Sequence, residues 1–417
     1  MTVEVVKSNI SGDIRIQPSK SILHRALICA CLSFKPCTIK NVNYSSDIEA
    51  TISACEAIFG AEIERKGNSL TVSGNKRQTQ NLIDCNESGS TLRFLIPFCF
   101  KDEVTIIKGK KSLISRPLQV FEKIAEENGI LFEKHEDYLK LKGTLKAGEF
   151  NVRGDISSQF ITGLLLYLPT LEQSSRIKIE GKLESKPYVM ITIEVLKSFG
   201  VFVEFRDENT IIIDGNQKYN GCDIAVEGDY SHAAFFIALA LMAGCLNIYN
   251  LNPTSLQGDR AMIEIVKRMG ADIDFCGDRL VVKKSKLTGI DIDAGQIPDL
   301  VPVLAVLGLY AKGITRIYNA KRLAFKESNR LISTGNLIKA LGGQVQVMPD
   351  GLAINGGGPI KGGSVKTYND HRIVMSAAVA GSICSLKVLI EGFECVRKSA
   401  PDFYSEFLSA GGNIKYV

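Results

Sequence analysis

Hydrophobic and polar residues follow one arrangement that recurs six times along the chain. Each copy has a helical stretch that ends in a glycine, and most of these glycines are followed by two short alternating strands joined by a turn. The clearest copy has an amphipathic stretch at 262–268, Gly270, and strands at 271–275 and 280–283. A glycine at this place is typical of a helix that ends in a residue with positive φ. The six glycines are Gly60, Gly129, Gly200, Gly270, Gly342 and Gly411, so the copies are about 70 residues apart.

A second set of helical stretches lies between these glycines and is apolar on nearly every face. Helices of this kind are buried, whereas amphipathic helices lie at the surface of a fold. Each copy is therefore predicted to be a strand–helix–strand–helix–strand–strand unit. Six such units predict an α/β protein with two domains of three repeats each. The apolar runs cover residues 26–31, 94–98, 160–168, 233–241, 300–309 and 373–380.

The apolar helices are predicted to begin at polar residues that repeat with the same period. Ser, Asp and Gly at the head of a helix are first of all N-caps. Six capped starts in a pseudo-symmetric fold also cluster on one face of each domain, where unpaired N–H groups and helix dipoles favour phosphates and carboxylates. The two interpretations are compatible. The predicted starts are Lys20-Ser21, Gly89-Ser90, Ser157-Ser158, Tyr230-Ser231, Pro298-Asp299 and Asp370-His371.

Composition narrows the class of protein to which the repeat can belong. Of the 417 residues, 45% are hydrophobic, which is ordinary for a globular protein. The formal charge of +5 is too small to indicate nucleic-acid binding. The cysteines form neither a CxxC pair nor a cluster with histidine, so we expect no metal and no cofactor. The chain lacks a run of ~20 apolar residues and opens directly into a strand. We therefore expect a cytoplasmic protein that does not bind membranes.

Basic and acidic residues fall into nine short motifs beside these helix starts and in nearby loops. Convergent Lys and Arg side chains suit a substrate with several negative charges. The nine motifs, in order along essentially the whole chain, resemble the 5-enolpyruvylshikimate-3-phosphate synthase family (3-phosphoshikimate 1-carboxyvinyltransferases). They cover residues 17–25, 87–93, 115–117, 157–159, 185–188, 297–299, 326–330, 369–372 and 397–398.

The resemblance implies an inside-out α/β barrel in each of two domains, with three βαβαββ repeats per domain. It assigns residues 19–227 to an N-terminal domain, and residues 1–18 and 228–417 to a C-terminal domain, with the active site in the interdomain cleft. The implied reaction transfers the enolpyruvyl group of phosphoenolpyruvate to the 5-hydroxyl of shikimate 3-phosphate and releases phosphate. These two anions are the expected partners of a monomeric enzyme.

The resemblance also implies a role for each matching residue. Asp299 matches the proton acceptor for the hydroxyl, Glu327 the group that protonates the enol carbon, and Lys20 a lysine that touches both substrates. Without the motifs, Asp299 would be taken as a helix N-cap and Glu327 as a first-turn carboxylate. The shikimate 3-phosphate set is Lys20, Ser21, Arg25, Ser157, Ser158, Gln159, Ser185, Tyr188, Asp299 and Lys326. The phosphoenolpyruvate set is Lys20, Gly89, Arg116, Gln159, Arg330, Arg372 and Lys398.

Two segments depart from the best-known members of that family. The chain has Glu87-Ser88-Gly89-Ser90 where those members have Asn-Ala-Gly-Thr, which places an additional carboxylate two residues before the glycine. The stretch 317–325 is longer than in those members. Asn319 and Arg322 therefore both remain candidates for one substrate-contacting position.

Two other functions are weighed against this one. The sister transferase that acts on UDP-N-acetylglucosamine shares the fold but uses a loop cysteine and a Lys-Asn pair, whereas this chain has no cysteine in the loop 111–117 and has Lys20-Ser21. A non-catalytic repeat scaffold would show polar capping repeats and an exposed apolar stripe. The differences between the repeats instead concentrate at helix starts and involve titratable groups.

Overall fold

Six four-stranded sheets form the β structure of residues 1–74 and 79–417, the part of the chain that the computed structural model describes. In each sheet two parallel strands are extended by two antiparallel ones. For example, Glu149–Arg153 pairs in parallel with Ser175–Glu180, which pairs antiparallel with Thr210–Ile213. This repetition confirms the predicted α/β class of repeated strand–helix units.

The helices and strands alternate as the hydrophobic pattern predicts. Up to residue 226 they are β1 Thr2–Val6, β2 Asp13–Arg15, α1 Lys20–Leu32, β3 Cys37–Lys40, α2 Ser46–Phe59, β4 Glu62–Lys66, β5 Ser69–Ser73, β6 Leu82–Asp84, α3 Gly89–Leu95, β7 Thr105–Lys108, α4 Lys111–Ile114, α5 Gln119–Glu127, β8 Leu131–Lys134, β9 Tyr138–Lys142, β10 Glu149–Arg153, α6 Ser158–Tyr167, β11 Ser175–Glu180, α7 Lys186–Ser198, β12 Val203–Asp207, β13 Thr210–Ile213 and β14 Ile224–Ala225. Beyond it they are α8 Tyr230–Ala243, β15 Cys245–Tyr249, α9 Ala261–Arg268, β16 Asp272–Cys276, β17 Arg279–Lys283, β18 Asp291–Asp293, α10 Val301–Tyr310, β19 Gly313–Tyr318, α11 Arg330–Ala340, β20 Gln344–Met348, β21 Gly351–Gly356, β22 Gly363–Lys366, α12 His371–Gly381, β23 Val388–Glu391, α13 Phe403–Ser409 and β24 Asn413–Tyr416.

The repeated glycine has the predicted backbone conformation in every copy. Gly60, directly after α2, has φ 59° and ψ 27°. A side chain there would be strained, because L-residues other than Asn and Asp rarely adopt this left-handed region. The positive φ values are 59° at Gly60, 65° at Gly129, 75° at Gly200, 101° at Gly270, 83° at Gly342 and 87° at Gly411.

The chain divides into two compact units. One comprises Met1–Gln17 and Glu227–Val417, and the other comprises Pro18–Val226. Each unit has its own continuous apolar core. In the first unit the apolar helices α8, α10 and α12 pack against one another at the centre of the core, which confirms that they are buried. In the second, the apolar helices α1, α3 and α6 are likewise buried.

The N-terminal strand pairs with strands from the end of the chain. β1 lies between β23 and β24, and is antiparallel to both. Val3 and Val5, which are fully buried, point from β1 into the core of the unit that contains the C-terminal residues. The sheet β22–β23–β1–β24 therefore has the same strand order as the other five described sheets, with a strand from the far end of the sequence in third place.

One predicted helix start is displaced. The apolar helix predicted to begin at Pro298-Asp299 begins at Val301, with Leu300 at the N-cap position. The residues before it form a turn closed by the Leu300 amide donating to the Ile297 carbonyl at 3.1 Å. Pro302 occupies the first turn of α10, where its missing N–H costs nothing. Asp299 is thus in a turn ahead of the helix and is not its N-cap.

Candidate active site

Three side chains, from α3, the segment after α4 and α6, meet beside Gly89 at the start of α3, in the unit Pro18–Val226. A Cβ atom added to Gly89 would lie 3.1 Å from Arg93 Nη1, 3.2 Å from Arg116 Nη1 and 3.7 Å from Gln159 Oε1. Arg93 Nη1 also donates to Gln159 Oε1 at 2.9 Å. We call Gly89, Arg93, Arg116 and Gln159 the glycine–arginine cluster. The absence of a side chain at Gly89 leaves the two guanidinium groups close to the first backbone residue of a helix.

Arg116 is the member of this cluster best placed to bind an anion. Its Nε is buried and has no hydrogen-bond partner among the residues that the structure describes. The guanidinium of Arg93, in contrast, donates to Gln159 and to the Pro117 carbonyl and lies over the ring of Phe160. A buried donor without a partner is costly, so the geometry favours an oxyanion beside Arg116.

Lys20 is the first residue of α1 and pairs with a carboxylate. Its Nζ lies 2.6 Å from Asp47 Oδ2 in the first turn of α2. The Asp47 side chain is almost buried, whereas a fifth of the Lys20 side chain is exposed, 21%. Ser19, the N-cap position of α1, makes no capping hydrogen bond with its side chain. Lys20 is therefore held by Asp47 and is partly exposed to solvent.

Four buried polar side chains connect α1, α2 and α3 beneath Lys20 and Gly89. His24 Nδ1 lies 2.7 Å from Thr51 Oγ1, which is 2.6 Å from Thr91 Oγ1, and Thr91 Oγ1 donates to Ser88 Oγ at 2.6 Å. Burial, aided by the charge of Lys20, lowers the pKa of His24 to about 3. The imidazole is therefore neutral, and the chain of hydrogen bonds fixes the three helix starts without adding charge.

Arg25 is turned into the protein and is nearly fully buried. Its Nε donates to Thr192 Oγ1 at 2.8 Å, its Nη1 to the Ser21 carbonyl at 2.6 Å, and its Nη2 to Thr162 Oγ1 and the Tyr188 carbonyl at 3.2 and 3.1 Å. Most of its five N–H groups are thus used inside the protein. In this state Arg25 positions the Ser21 and Tyr188 backbone.

The predicted serines lie at the starts of α6 and α7. Ser157 is the N-cap of α6, where its Oγ accepts from the Gln159 amide at 3.3 Å, and Ser158 is buried beside it. Ser185 precedes α7 and has φ 56°, an uncommon conformation for a residue other than glycine. Such strain persists where the surrounding structure imposes it and is frequent at ligand sites.

The additional carboxylate of the second motif is neutralised locally. Glu87 Oε1 accepts from Lys110 Nζ at 2.7 Å. The neighbouring Ser88 caps α3 by accepting from the Thr91 amide. The substitutions in this motif therefore keep the helix start and do not leave an unbalanced negative charge beside Gly89.

Replacing Gly89 with alanine is expected to weaken anion binding at this cluster by roughly 5–30-fold, the effect of losing one or two kcal/mol of binding. The new methyl group displaces Arg93 and Arg116 by a few tenths of an ångström, because both nitrogens lie closer than ordinary van der Waals contact. The dissociation constant for inorganic phosphate tests the prediction. Gly148→Ala is the control, since nothing lies within 4 Å of its added Cβ. An unchanged dissociation constant in Gly89→Ala contradicts an anion site here.

A second cluster lies in the unit that contains Glu227–Val417, around Arg330. This guanidinium is 1% exposed and binds three carboxylates. Its Nη1 donates to Asp299 Oδ1 at 2.6 Å, its Nη2 to Glu327 Oε2 at 2.6 Å, and its Nε to Asp370 Oδ2 at 2.8 Å. Arg330 thus binds both carboxylates to which the family resemblance assigns proton transfer. Asp370 binds the Nε of the same guanidinium.

Three further cations border the same carboxylates. Arg372 Nη2 lies 3.2 Å from Asp299 Oδ2, Lys326 Nζ lies 3.5 Å from Asp299 Oδ1, and Lys398 Nζ lies 3.8 Å from Glu327 Oε1. We call these residues, with Arg330 and Asp370, the carboxylate–arginine cluster. The cluster has four cations and three carboxylates, so its charge favours an anionic ligand.

The cations set the protonation state of Asp299. Burial alone would raise the pKa of this carboxyl, but the charges of Arg372, Lys326 and Arg330 hold it well below its usual range. Asp299 is therefore ionised at neutral pH. Burial lowers the pKa of Lys326, with Asp299 acting in the opposite direction.

Glu327 lies outside the α-helices, and so do Asn319 and Arg322, the two candidates for one substrate-contacting position. Glu327 follows the 3-10 segment Lys321–Phe325 and precedes α11, whose N-cap is Asn329, so it is not a first-turn carboxylate. Asn319 follows β19 with φ 57°. Arg322 Nη2 donates to the Gly295 carbonyl at 2.7 Å, beside the turn that carries Asp299.

The site residues predicted from the sequence leave out three residues that bind their side chains, although Arg93 lies in the second motif. Asp47 pairs with Lys20, Arg93 binds Gln159, and Asp370 binds Arg330. Asp370 was expected as part of a helix start, and its Oδ1 does accept from the Arg372 amide. Its pairing with Arg330 cannot be predicted from neighbouring residues, because the two are 40 residues apart.

In the described part of the chain, no helix has the length and apolar character needed to cross a membrane. Residues 1–74 and 79–417 contain no group of three or more His, Cys, Asp or Glu side chains arranged to hold a metal ion. The eleven cysteines have free thiols.

The chain is similar over nearly its whole length to proteins of one kind. The sequence profile of the family described as EPSP synthase (3-phosphoshikimate 1-carboxyvinyltransferase) matches residues 6–407. The 3-phosphoshikimate 1-carboxyvinyltransferase of Clostridium novyi is 44% identical, with 99% of this chain and 98% of that protein aligned. The protein of the same name from Clostridium kluyveri is 43% identical with the same coverage. A solved EPSP synthase from Acinetobacter baumannii superposes with a TM-score of 0.82 at 25% identity over all of both chains.

Proposed function

This chain belongs to the EPSP synthase family, and from that premise we propose which residues bind the substrates and which transfer protons. The enzyme is a transferase of the shikimate pathway that moves the enolpyruvyl group of phosphoenolpyruvate to the 5-hydroxyl of shikimate 3-phosphate. The reaction needs a proton acceptor for the hydroxyl and a proton donor for the methylene carbon. It also needs cations that hold two anions in contact against their repulsion.

Asp299 and Glu327 are the proposed proton acceptor and proton donor. Glu327 acts in its protonated form, and giving that proton to the enol carbon leaves it as a carboxylate. The observation that carries this proposal is that Arg330 binds both, Asp299 through Nη1 and Glu327 through Nη2, each at 2.6 Å. One buried guanidinium therefore sets the separation of the two carboxylates. Carboxylates in this position also stabilise the positive charge that develops at the substituted carbon of the enol.

Substrate binding is proposed to activate Asp299 by exchange of ion pairs. In the structure, Arg330 and Arg372 are paired with Asp299, which makes it a weak base. A carboxylate or phosphate of phosphoenolpyruvate that takes these arginines, with Lys398, leaves Asp299 less neutralised. Its pKa then rises toward the range in which it can accept a proton.

The remaining residues are proposed to bind the substrates. Gly89, Arg116 and Gln159 form a site for phosphoenolpyruvate, supported by the unpaired Nε of Arg116 within the described residues. Lys20 touches both substrates, supported by its ion pair with Asp47 and by its partial exposure at the start of α1. The proposed shikimate 3-phosphate residues are Ser21, Arg25, Ser157, Ser158, Gln159, Ser185, Tyr188, Asp299 and Lys326. A monomeric state and a cytoplasmic location also remain proposals from the sequence.

Release of inorganic phosphate from the two substrates tests the function. Phosphate is expected only when phosphoenolpyruvate and shikimate 3-phosphate are both present. Replacing shikimate 3-phosphate by UDP-N-acetylglucosamine tests the sister activity, and no phosphate is expected from that pair. A protein that binds both substrates and releases no phosphate would instead support the non-catalytic scaffold.

A further inference from the structure

Four polar side chains form a row inside the apolar core of the unit Pro18–Val226. We call His24, Thr51, Thr91 and Ser88 the buried row, and each of them is 0% exposed. They come from α1, α2, α3 and the N-cap position of α3. Polar groups in a core are costly unless they are hydrogen-bonded, and a connected network holds its members in one arrangement. The buried row therefore fixes the helix starts to which its members belong.

The hydrogen bonds of the buried row run in one direction. Thr91 Oγ1 donates to Ser88 Oγ at 2.6 Å. Thr51 Oγ1 lies 2.6 Å from Thr91 Oγ1, whose single hydrogen is already used, so Thr51 is the donor in this pair. His24 Nδ1 lies 2.7 Å from Thr51 Oγ1 and must then be a donor as well. The row therefore begins at a His24 ring with its proton on Nδ1 and ends at the residue before Gly89.

The second ring nitrogen of His24 agrees with this assignment. Nε2 is buried and has no hydrogen-bond partner among the residues that the structure describes. A proton on Nε2 would therefore be a buried donor without an acceptor, whereas Nδ1 faces a hydroxyl oxygen. Burial lowers the pKa of His24 to about 3, so the ring carries one proton at neutral pH. That proton is expected on Nδ1.

The buried row also contacts the residue that holds Lys20. The Asp47 carbonyl accepts from Thr51 Oγ1 at 3.2 Å and from Thr91 Oγ1 at 3.5 Å. Both contacts are longer than those within the row, so the carbonyl shares these hydrogens as a second acceptor. The Asp47 carboxylate holds Lys20 Nζ at 2.6 Å. Thr91 thus contacts both the partner of Lys20 and Ser88, the residue before Gly89.

We propose that Thr91 is a positioning residue for the phosphoenolpyruvate site: its hydroxyl, as a link of the row from His24 to Ser88, holds the helix start at Gly89 in place relative to Lys20. This rests on the proposed function, in which Gly89 and Lys20 both bind phosphoenolpyruvate. Thr91 is fully buried and acts through these neighbours. Without its hydroxyl, the starts of α2 and α3 lose a direct link, and a ligand that needs both binds less tightly.

The first test compares Thr91→Val with Thr91→Ser. Valine keeps the shape of the side chain and removes the hydroxyl, whereas serine keeps the hydroxyl and removes a buried methyl group. The KM for phosphoenolpyruvate is expected to rise about tenfold in Thr91→Val, the effect of one or two lost hydrogen bonds. It is expected to stay near the wild-type value in Thr91→Ser. The kcat is expected to change little in either variant, because no group that transfers a proton is altered.

The matched control is Thr105→Val. Thr105, in β7 of the same unit, is 1% exposed, and its Oγ1 has no hydrogen-bond partner within the described residues. This variant makes the same chemical change at a buried threonine outside the row, so its KM is expected to equal that of the wild type. A wild-type KM in Thr91→Val overturns the proposal. An equal rise in Thr91→Ser also overturns it, because the effect would then come from packing.

The second test needs no substrate and no variant of the row. Long-range ¹H–¹⁵N correlation spectra of the wild type, labelled with ¹⁵N-histidine, show which ring nitrogens are protonated. The chain has four histidines, and the His24 signals are those that persist when each of the other three is replaced in turn. A protonated Nδ1 and an unprotonated Nε2 are expected at neutral pH.

A proton on Nε2 of His24 overturns the proposal even if Thr91→Val does not fold, because the row would then not run toward Ser88. An absence of phosphate release in the wild type concerns the proposed function, whereas the spectrum still judges the row.

Discussion

Replacing Asp299 with asparagine is expected to lower kcat by roughly 10²-fold or more, the usual scale for losing a positioned acid or base. Asparagine keeps the shape of the side chain and an oxygen that can accept the hydrogen bond from Arg330 Nη1. It cannot take the proton of the substrate hydroxyl, and it removes a negative charge that faces the developing cation. Shikimate 3-phosphate is expected to bind with nearly unchanged affinity. Turnover and equilibrium binding, measured on one preparation, test both statements.

The matched control for Asp299 is Asp291→Asn in the same unit. Asp291 is an exposed carboxylate 3.5 Å from Arg316, so its replacement removes one charge and one surface ion pair. We expect this variant to turn over at the wild-type rate. A kcat for Asp299→Asn within about tenfold of the wild type contradicts its role as the base.

Replacing Glu327 with glutamine is expected to slow the exchange of solvent deuterium into the methylene group of phosphoenolpyruvate by about 10²-fold. This exchange requires protonation of carbon, and glutamine has no acidic proton to give. In the wild type, Arg330 Nη2 donates to Glu327 at 2.6 Å. Glutamine offers an oxygen that can accept the same hydrogen bond, so substrate binding is expected to be retained. Mass spectrometry of phosphoenolpyruvate incubated in heavy water with shikimate 3-phosphate measures the exchange.

Two comparisons make this experiment specific to Glu327. Glu264→Gln makes the same change at an exposed position of α9 and is expected to exchange at the wild-type rate. Asp299→Asn keeps the proposed acid, so its ratio of exchange to turnover is expected to exceed that of Glu327→Gln. Unimpaired exchange in Glu327→Gln would assign proton delivery to another group, and Lys20 is the first candidate.

The sequence predicts the repeated units because each unit is specified by neighbouring residues. A glycine after an amphipathic helix has few alternatives to positive φ, and Gly60 and Gly411 both adopt it. A run such as 300–309 has no polar face to expose, so α10 is buried whatever its neighbours are. The start predicted at Pro298-Asp299 lies ahead of the observed start at Val301, because a turn at Asp299 and a capped helix start contain the same residue types.

The ion pairs of the site are not predictable in the same way. Glu327 and Arg330 are three residues apart, a spacing that the sequence shows. Asp299 reaches the same guanidinium from 31 residues away in the same repeat, and Asp370 from 40 residues away in the next repeat. Charge patterning indicates that cations and carboxylates cluster. Which carboxylate oxygen binds which arginine or lysine nitrogen depends on how the helices and repeats pack. The same holds for Glu87, whose partner Lys110 lies in another segment.

The pairing of β1 has a consequence for how the protein is made. β1 lies between β23 and β24, so its sheet is incomplete until the ribosome has released residues up to Tyr416. The unit Pro18–Val226 needs no later residue and can fold while the second half of the chain is still being synthesised. β1 is therefore made well before β23 and β24 and waits for them while the residues between are synthesised, and strand pairing over such a sequence distance is slow. In this sheet, the strand that is synthesised before the other three cannot pair until two of the last strands of the chain have been made.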